Sequence, residues 1–92
     1  MKVFCSYDSK VEKYLQPFFM RTTKEAVRAI ETVCSDPSTQ FNKFPADFAF
    51  FELGDFDDDT AKFNLLNAPH SLGLAQDFMR SRPASIQEVS EK

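Results

Sequence analysis

The spacing of hydrophobic positions changes several times along the chain, and each change predicts an element. Residues 2–8 alternate between two sides of an extended backbone, which predicts a strand. Residues 14–20 are also rich in β-forming side chains, but Pro17 lacks the amide that a central strand donates. We therefore expect a second strand that lies at a sheet edge or contains a bulge.

Residues 22–37 carry the clearest helical pattern. Thr22 and Glu25 have the spacing of a capping box, in which the hydroxyl accepts an amide N–H and the carboxylate reaches back. The apolar residues that follow recur on one helical face: Ala26, Val27, Ile30, Val33 and Cys34. Pro37 ends the predicted helix.

The middle of the chain is dominated by phenylalanine. Residues 38–48 predict a loop, which we expect Phe41 and Phe44 to pin to the core. Residues 48–56 predict a strand that is apolar on both sides. One side holds Ala49, Phe51 and Leu53, and the other holds Phe48, Phe50 and Phe56. Such a strand is typically central in its sheet, covered by a helix on one face and by a loop or a second subunit on the other.

The remaining pattern completes one small domain. Residues 61–67 predict the next strand, residues 70–80 a short helix despite Gly73, and residues 81–92 a polar, flexible tail. The order β-β-α-β-β-α predicts an α+β fold, in which one main amphipathic helix packs across a small antiparallel sheet. We expect residues 1–80 to form this single domain.

Four aspartates crowd the segment between the last two predicted strands: Asp55, Asp57, Asp58 and Asp59. Their spacing matches the first ligands of an EF-hand calcium loop, but Thr60 replaces the required glycine and Leu66 the bidentate glutamate. Paired catalytic carboxylates need unlike environments, which adjacent acids on an exposed turn do not have. We therefore predict a solvated hairpin turn over residues 57–60 and no metal site.

No catalytic motif emerges from the other reactive residues. Cys5 and Cys34 lie in apolar patterns and are expected to be buried free thiols in a reducing cytosol. A disulfide or a catalytic cysteine is the less favoured alternative, because the lone His70 lies in a proline-flanked loop with no third catalytic partner. The sequence also lacks a phosphate-binding loop and a zinc motif, so we expect neither an enzyme nor a cofactor.

Charge and aromatic content leave binding functions open. Residues 1–44 carry seven basic and five acidic side chains, whereas residues 45–92 carry four basic and nine acidic ones. The net charge of −3 counts against tight nucleic-acid binding. The 11 phenylalanines fill a core, or leave a surplus on the surface as stacking platforms or an oligomer interface. No apolar run has the length of a signal peptide or membrane span, so we expect a soluble intracellular protein.

Aromatic and cationic residues interleave over the first strands and the helix. The candidate contacts for single-stranded nucleic acid are Tyr7, Lys10, Lys13, Tyr14, Arg21, Lys24 and Arg28. Proteins that bind single strands combine a positive groove with aromatic side chains on which bases stack. The alternative is an ordinary solvated charged surface.

Four segments in order resemble a known family: "YDSKVEKYLQPFF", "TKEAVRAIETVCSDPSTQFNKFPADF", "FELGDFDD" and "SLGLAQDF". Together they resemble the small non-structural protein of gokushoviruses, phages of the Microviridae with circular single-stranded DNA genomes. The resemblance covers roughly residues 4 to 79, with Ala61 at a position where the family frame has a turn glycine.

The resemblance implies DNA binding during genome replication in the host cytoplasm, favouring the switch from duplex to single-strand synthesis. It carries no contact residues, so the seven candidates rest on their chemistry alone. We expect a homo-oligomer, because repeated subunits add up modest contacts along a strand. The alternative is a protein-interaction module that acts on a host or viral replication or assembly protein without touching DNA.

Overall fold

Five strands and three helices occupy residues 1–79, the part of the chain that the computed structural model describes. In chain order they are β1 Lys2–Asp8, β2 Lys13–Tyr14, β3 Phe18–Met20, α1 Thr23–Ser35, α2 Gln40–Lys43, β4 Phe48–Asp57, β5 Lys62–Leu74 and α3 Ala75–Phe78. This is an α+β fold with one main helix on an antiparallel sheet, as the sequence predicts. The predicted tail lies outside the described residues.

All strand pairs of the sheet are antiparallel. β1 pairs with β4 on one side and with both β2 and β3 on the other, and β4 also pairs with β5. β4 is therefore central, as its two apolar sides predict. β2 and β3 form an edge that is interrupted around Pro17, where the Leu15 N–H still donates to the Ser6 carbonyl over 2.8 Å. The predicted edge position is confirmed, and the proline explains the interruption.

Helix α1 begins and ends where its capping residues require. The Thr22 hydroxyl accepts the Glu25 N–H over 3.1 Å, which is one half of the predicted capping box. Within residues 1–79 the Glu25 carboxylate makes no return bond. The helix stops at Ser35, two residues before Pro37. Its buried residues lie on the predicted face: Ala26, Ile30 and Cys34.

The core fills the space between α1, β4 and α3. Its buried members are Ile30, Cys34, Phe48, Phe50, Ala75 and Phe78. Phe41 packs edge-on against Phe48, with ring centroids 4.8 Å apart, and so attaches its segment to the core as predicted. Phe44 does not, because its side chain is 51 % exposed. The predicted loop also contains α2, whose first turn is capped by the Thr39 hydroxyl.

The helix predicted over residues 70–80 is shorter in the structure, because its first residues belong to β5. β5 continues to Leu74, which pairs with Ala49, and only Ala75–Phe78 are helical. Gly73 has φ +134°, a conformation outside the helical region. The prediction of a loop around His70 is also wrong, since His70 pairs with Glu52 inside the strand. Pairing with β4 outweighs the helical spacing of these apolar residues.

A bulge in β4 changes which face its last residues occupy. Val3 pairs with Gly54 and Phe4 with Glu52, so Leu53 is an extra residue in β4. An extra residue reverses the alternation of side chains beyond it. Phe56 therefore lies on the opposite face from Phe48 and Phe50, contrary to the prediction.

We call the sheet face covered by α1 the helix face, and the other the open face. The open face carries Val3, Cys5, Tyr7, Tyr14, Phe19, Phe51, Phe56, Phe63 and Leu65, by strand register and alternation. Beyond Leu65, residues 66–69 bulge out of β5, because Gly54 pairs with Leu65 but Glu52 with His70. Pro69 in this bulge lines a cavity of about 300 Å³ together with Cys5 and Pro17, so the sheet curls over Cys5.

Candidate nucleic-acid interface

Two of the predicted contacts form an aromatic pair at the β1–β2 end of the sheet. Tyr7 and Tyr14 are opposite each other in the ladder, and their ring centroids are 4.7 Å apart. Phe51 meets Tyr14 edge-on at 5.8 Å. Tyr14 is 55 % exposed, whereas Tyr7 and Phe51 are half-buried beside it. At this end of the sheet, the open face thus presents the accessible ring of Tyr14, held by two other rings.

Phe51 was not among the sequence-predicted contacts, although the sequence contains a signal for it. Phe50 and Phe51 are adjacent in a strand, so only one of them faces the helix. Phe50 is buried in the core and pairs with Ser6, while Phe51 pairs with Cys5 on the open face. A two-sided apolar strand therefore supplies an aromatic support for Tyr14.

Lys10 and Lys13 lie in the same hairpin as the tyrosines. The turn between β1 and β2 is closed by the Glu12 N–H, which donates to the Asp8 carbonyl over 2.8 Å. Lys13 pairs with Asp8, so it points to the other side of β2 from Tyr14. Lys10 is exposed in the turn and lines a depression that also contains Asp8 and Asp47.

The other three predicted contacts lie on helix α1 or just before it. Arg21 is exposed just before α1, and Lys24 and Arg28 are exposed one turn apart along it. Since α1 covers the helix face, Lys24 and Arg28 are separated from Tyr14 by the sheet. The structure therefore brings together Tyr7, Tyr14, Lys10 and Lys13 in one hairpin, and places Arg21, Lys24 and Arg28 in a second group.

None of these cations is neutralised within residues 1–79. The ion pair of that region joins Lys2 to Glu52, with 3.4 Å between Nζ and Oε2. Glu52 also accepts a hydrogen bond from the Thr23 hydroxyl over 3.0 Å, which ties the start of α1 to β4. Within that part of the chain, the predicted cationic contacts are thus exposed and form no ion pair.

Residues 1–78 match the family described as phage ORF5 protein. The chain belongs to that family. The match runs from β1 through α3, so the matched residues include both the hairpin and the helix described above. Neither the curated proteins nor the solved structures gave a match.

The phage ORF5 match assigns no ligand to this surface. Among residues 1–79, no helix combines the length and apolar character of a membrane span.

The aspartate segment forms the predicted turn between β4 and β5. The Asp57 carboxylate accepts the Asp59 N–H over 2.9 Å, and the Asp57 carbonyl accepts the Ala61 N–H over 2.7 Å. The exposed carboxylates of Asp57, Asp58 and Asp59 come within 4.8 Å of one another, which is close enough for a cation. The hydrogen bonds of Asp57 account for its place in the turn without an ion.

The two thiols are poor nucleophiles. Both are free and buried, as predicted. Burial raises the pKa of the Cys5 thiol, and it raises the pKa of Cys34 to about 11. Because the thiolate is the reactive form, neither group is activated at neutral pH. The chemistry that the surface does offer is stacking on Tyr14 and charge pairing with the nearby lysines.

Proposed function

We propose that this phage ORF5 protein is a non-enzymatic, gokushovirus-type protein that binds single-stranded DNA during genome replication. It acts in the host cytoplasm as a homo-oligomer and favours the switch from duplex to single-strand synthesis. The observation that carries the proposal is the exposed Tyr14 ring, supported by Tyr7 and Phe51 and flanked by exposed lysines in the same hairpin.

The position of Tyr14 suits an unpaired base. An exposed ring contributes little to folding, but base stacking on such a ring is worth about 1–3 kcal/mol per base. Duplex bases are already stacked on each other, so this gain is open to a single strand and not to a duplex. The proposal therefore includes a preference for single strands.

The cations suggest the path of the backbone. β2 pairs with β1 on one side and has no neighbour on its other side within residues 1–79. A strand that crosses this edge meets Tyr14 on the open face and Lys13 on the reverse side. The attraction between DNA phosphates and the side chains of Lys13 and Lys10 would offset the repulsion between DNA and the protein's net charge of −3. The helix α1 cations form a separate contact that a longer strand reaches around the edge.

Fluorescence anisotropy of a labelled poly-thymidine oligonucleotide tests the proposal. The protein is titrated at several salt concentrations, in parallel with a duplex of the same length. We expect micromolar or tighter binding to the single strand. The logarithm of the binding constant is expected to fall linearly with the logarithm of the salt concentration, with a slope of about −0.7 for each phosphate engaged. The duplex is expected to bind more weakly.

Flat anisotropy at the lowest salt concentration would contradict DNA binding. The alternative function, a module that binds a replication or assembly protein, would then be favoured. Its test is recovery of one stoichiometric partner on the immobilised protein after nuclease treatment of the lysate.

A further inference from the structure

The β4–β5 hairpin exposes apolar residues away from the core and from Tyr14. Every residue from 61 to 70 is exposed, yet Phe63, Leu65 and Leu66 retain 53 %, 62 % and 46 % of their surface. Exposed apolar residues in such a cluster mark an interaction surface more often than isolated ones do. The hairpin therefore needs a physical explanation that the DNA contact does not provide.

The outer edge of β5 is an unpaired strand edge. β5 pairs with β4 on one side, and no strand of residues 1–79 pairs with the other. Proteins protect such edges with charges, prolines or covering loops, because unpaired backbone groups recruit another strand. Residues 63–66 have no charge and no proline. This edge is thus open to pairing.

The hydrogen bonds of the hairpin show which backbone groups face the open edge. The Phe56 N–H donates to the Met1 carbonyl over 2.7 Å, and the Met1 amino group donates to the Phe56 carbonyl over 3.1 Å. The N–H and C=O of Phe56 therefore point toward β1. Phe63, which pairs with Phe56 in the ladder, receives no backbone hydrogen bond from it. The N–H and C=O of Phe63, and by alternation those of Leu65, point outward.

We propose that a second copy of this chain occupies this edge, with the two β5 strands antiparallel and centred on Asn64. The proposal rests on the homo-oligomer of the proposed function and names its interface. In this register Phe63 lies opposite Leu65 of the second copy, and the two residues exchange both backbone hydrogen bonds. The contact is isologous, because the two-fold axis repeats it.

Side-chain alternation makes this register self-complementary. Phe63 and Leu65 are two residues apart and share the open face. The pair of strands therefore aligns four apolar side chains in one continuous row, two from each copy. Asn64 lies on the reverse face, opposite Asn64 of the second copy. The antiparallel sense also directs the acidic turns at Asp57–Asp59 away from each other.

The available area fits a weak dimer. At about 200 Å² for a large side chain, the exposed fractions of Phe63, Leu65 and Leu66 amount to roughly 300 Å² per copy. The backbone and polar side chains of the two edges bring the total to about 1,000 Å², which is near the lower limit for a specific interface. We therefore expect association that depends on protein concentration in the micromolar range.

Sedimentation velocity of the DNA-free protein over a concentration series tests the association. We expect the wild type to shift from monomer to dimer, and Leu65→Lys to weaken dimerisation at least 10-fold. The matched control is Val11→Lys, which adds the same charge at an apolar residue that is 59 % exposed in another turn. A wild type that stays monomeric, or equal loss in both variants, would overturn the proposal.

A single cysteine tests the register. In a non-hydrogen-bonded antiparallel pair the Cα atoms are about 4.5 Å apart, within the range of a disulfide. Asn64→Cys is therefore expected to form a disulfide-linked dimer under mild oxidation, since Cys5 and Cys34 are buried. Lys62→Cys is the control, because its two copies would be about 14 Å apart. Equal cross-linking by both variants would refute the register.

The two proposals fail separately. Dimerisation without DNA binding in anisotropy would remove the proposed function and leave the interface. DNA binding by a protein that is monomeric at all concentrations would remove the interface and the homo-oligomer, and would leave the DNA contact.

Discussion

Gly54 lies opposite Leu65 in the β4–β5 ladder, and the space between them has no room for a side chain. A Cβ on Gly54 would lie 2.3 Å from the carbonyl oxygen of Asn64 and 2.7 Å from the Cα of Leu65. Gly54 also has φ +150°, which other residues rarely adopt. The glycine therefore permits the close approach that follows the Leu53 bulge.

Gly54→Ala is expected to lower the free energy of unfolding by about 2–4 kcal/mol, because backbone strain and overlap add. Urea denaturation followed by circular dichroism measures this loss. Gly73→Ala is the control, since Gly73 has φ +134° but its nearest neighbours are side-chain atoms at 3.2 and 3.3 Å. An equal loss in both variants would show that backbone strain alone sets the cost.

Ala61→Gly is expected to stabilise the protein by about 0.5–1 kcal/mol. Ala61 has φ +62°, which costs a non-glycine residue about 1–2 kcal/mol, while glycine adds about 0.5–1 kcal/mol of unfolded-chain entropy. Chemical denaturation at constant slope measures the difference. Ala46→Gly, at an exposed turn residue without positive φ, is expected to be destabilising. Destabilisation by Ala61→Gly would mean that the turn tolerates its alanine without strain.

Elements that local chemistry determines were predictable from the sequence. β1 follows from alternation over residues 2–8, and α1 from the Thr22 cap and its apolar face. The edge character of residues 14–20 follows from Pro17, which lacks an amide in any conformation. In each case a single residue or a local spacing of apolar side chains is enough to predict the element, without knowledge of its partners in the fold.

The errors arose where a distant strand decides. Residues 70–74 satisfy both helical and strand spacing, and their pairing with β4 selects the strand. Phe56 changes face because of a bulge at Leu53, which is a property of the β1–β4 register and not of local alternation. Gly54 was the available signal, since a glycine inside a strand often marks a bulge.

The candidate site was predictable as a set of residues but not as an arrangement. Tyr7 and Tyr14 come together because a short turn joins their strands, which the sequence suggests. The separation of Lys24 and Arg28 from Tyr14 depends on which sheet face α1 covers. That choice is made by the packing of Ile30 and Cys34 against Phe50, over residues far apart in the chain.

The buried Cys34 thiol is expected to make stability fall at alkaline pH. Its pKa rises from the ordinary 9.0 to about 11 through desolvation, so the folded state holds the proton more tightly than the unfolded chain. The stabilisation is complete below pH 9 and is lost as the pH rises through 11. Denaturation at pH 7 to 11 measures this slope. Cys34→Ala lowers stability at pH 7 but lacks this component, so parallel pH profiles would contradict the assignment.

Tyr14→Ala is expected to weaken binding to single-stranded DNA by roughly 5- to 150-fold, the loss of about 1–3 kcal/mol of stacking. Tyr14→Phe keeps the ring and is expected to retain wild-type affinity. Phe44→Ala removes another exposed ring, at 51 % exposure, that lies outside the hairpin and serves as the control. Anisotropy with labelled poly-thymidine measures all three. Similar affinities for Tyr14→Ala and Phe44→Ala would show that Tyr14 is not a stacking platform.

The two cation groups, one in the β1–β2 hairpin and one along α1, are distinguished by reversing the charge of one group at a time. Lys10→Glu with Lys13→Glu, and Lys24→Glu with Arg28→Glu, lower the net charge equally, so long-range repulsion of DNA is matched. With a short oligonucleotide, the hairpin variant is expected to lose at least 10-fold in affinity and about 1.4 in the salt slope, because two phosphate contacts disappear. The helix variant is expected to lose only a few-fold and to keep its slope. Anisotropy titrations at three salt concentrations measure both quantities. A larger loss in the helix variant would move the DNA contact to the outer surface of α1 and leave the tyrosine pair without a role in binding.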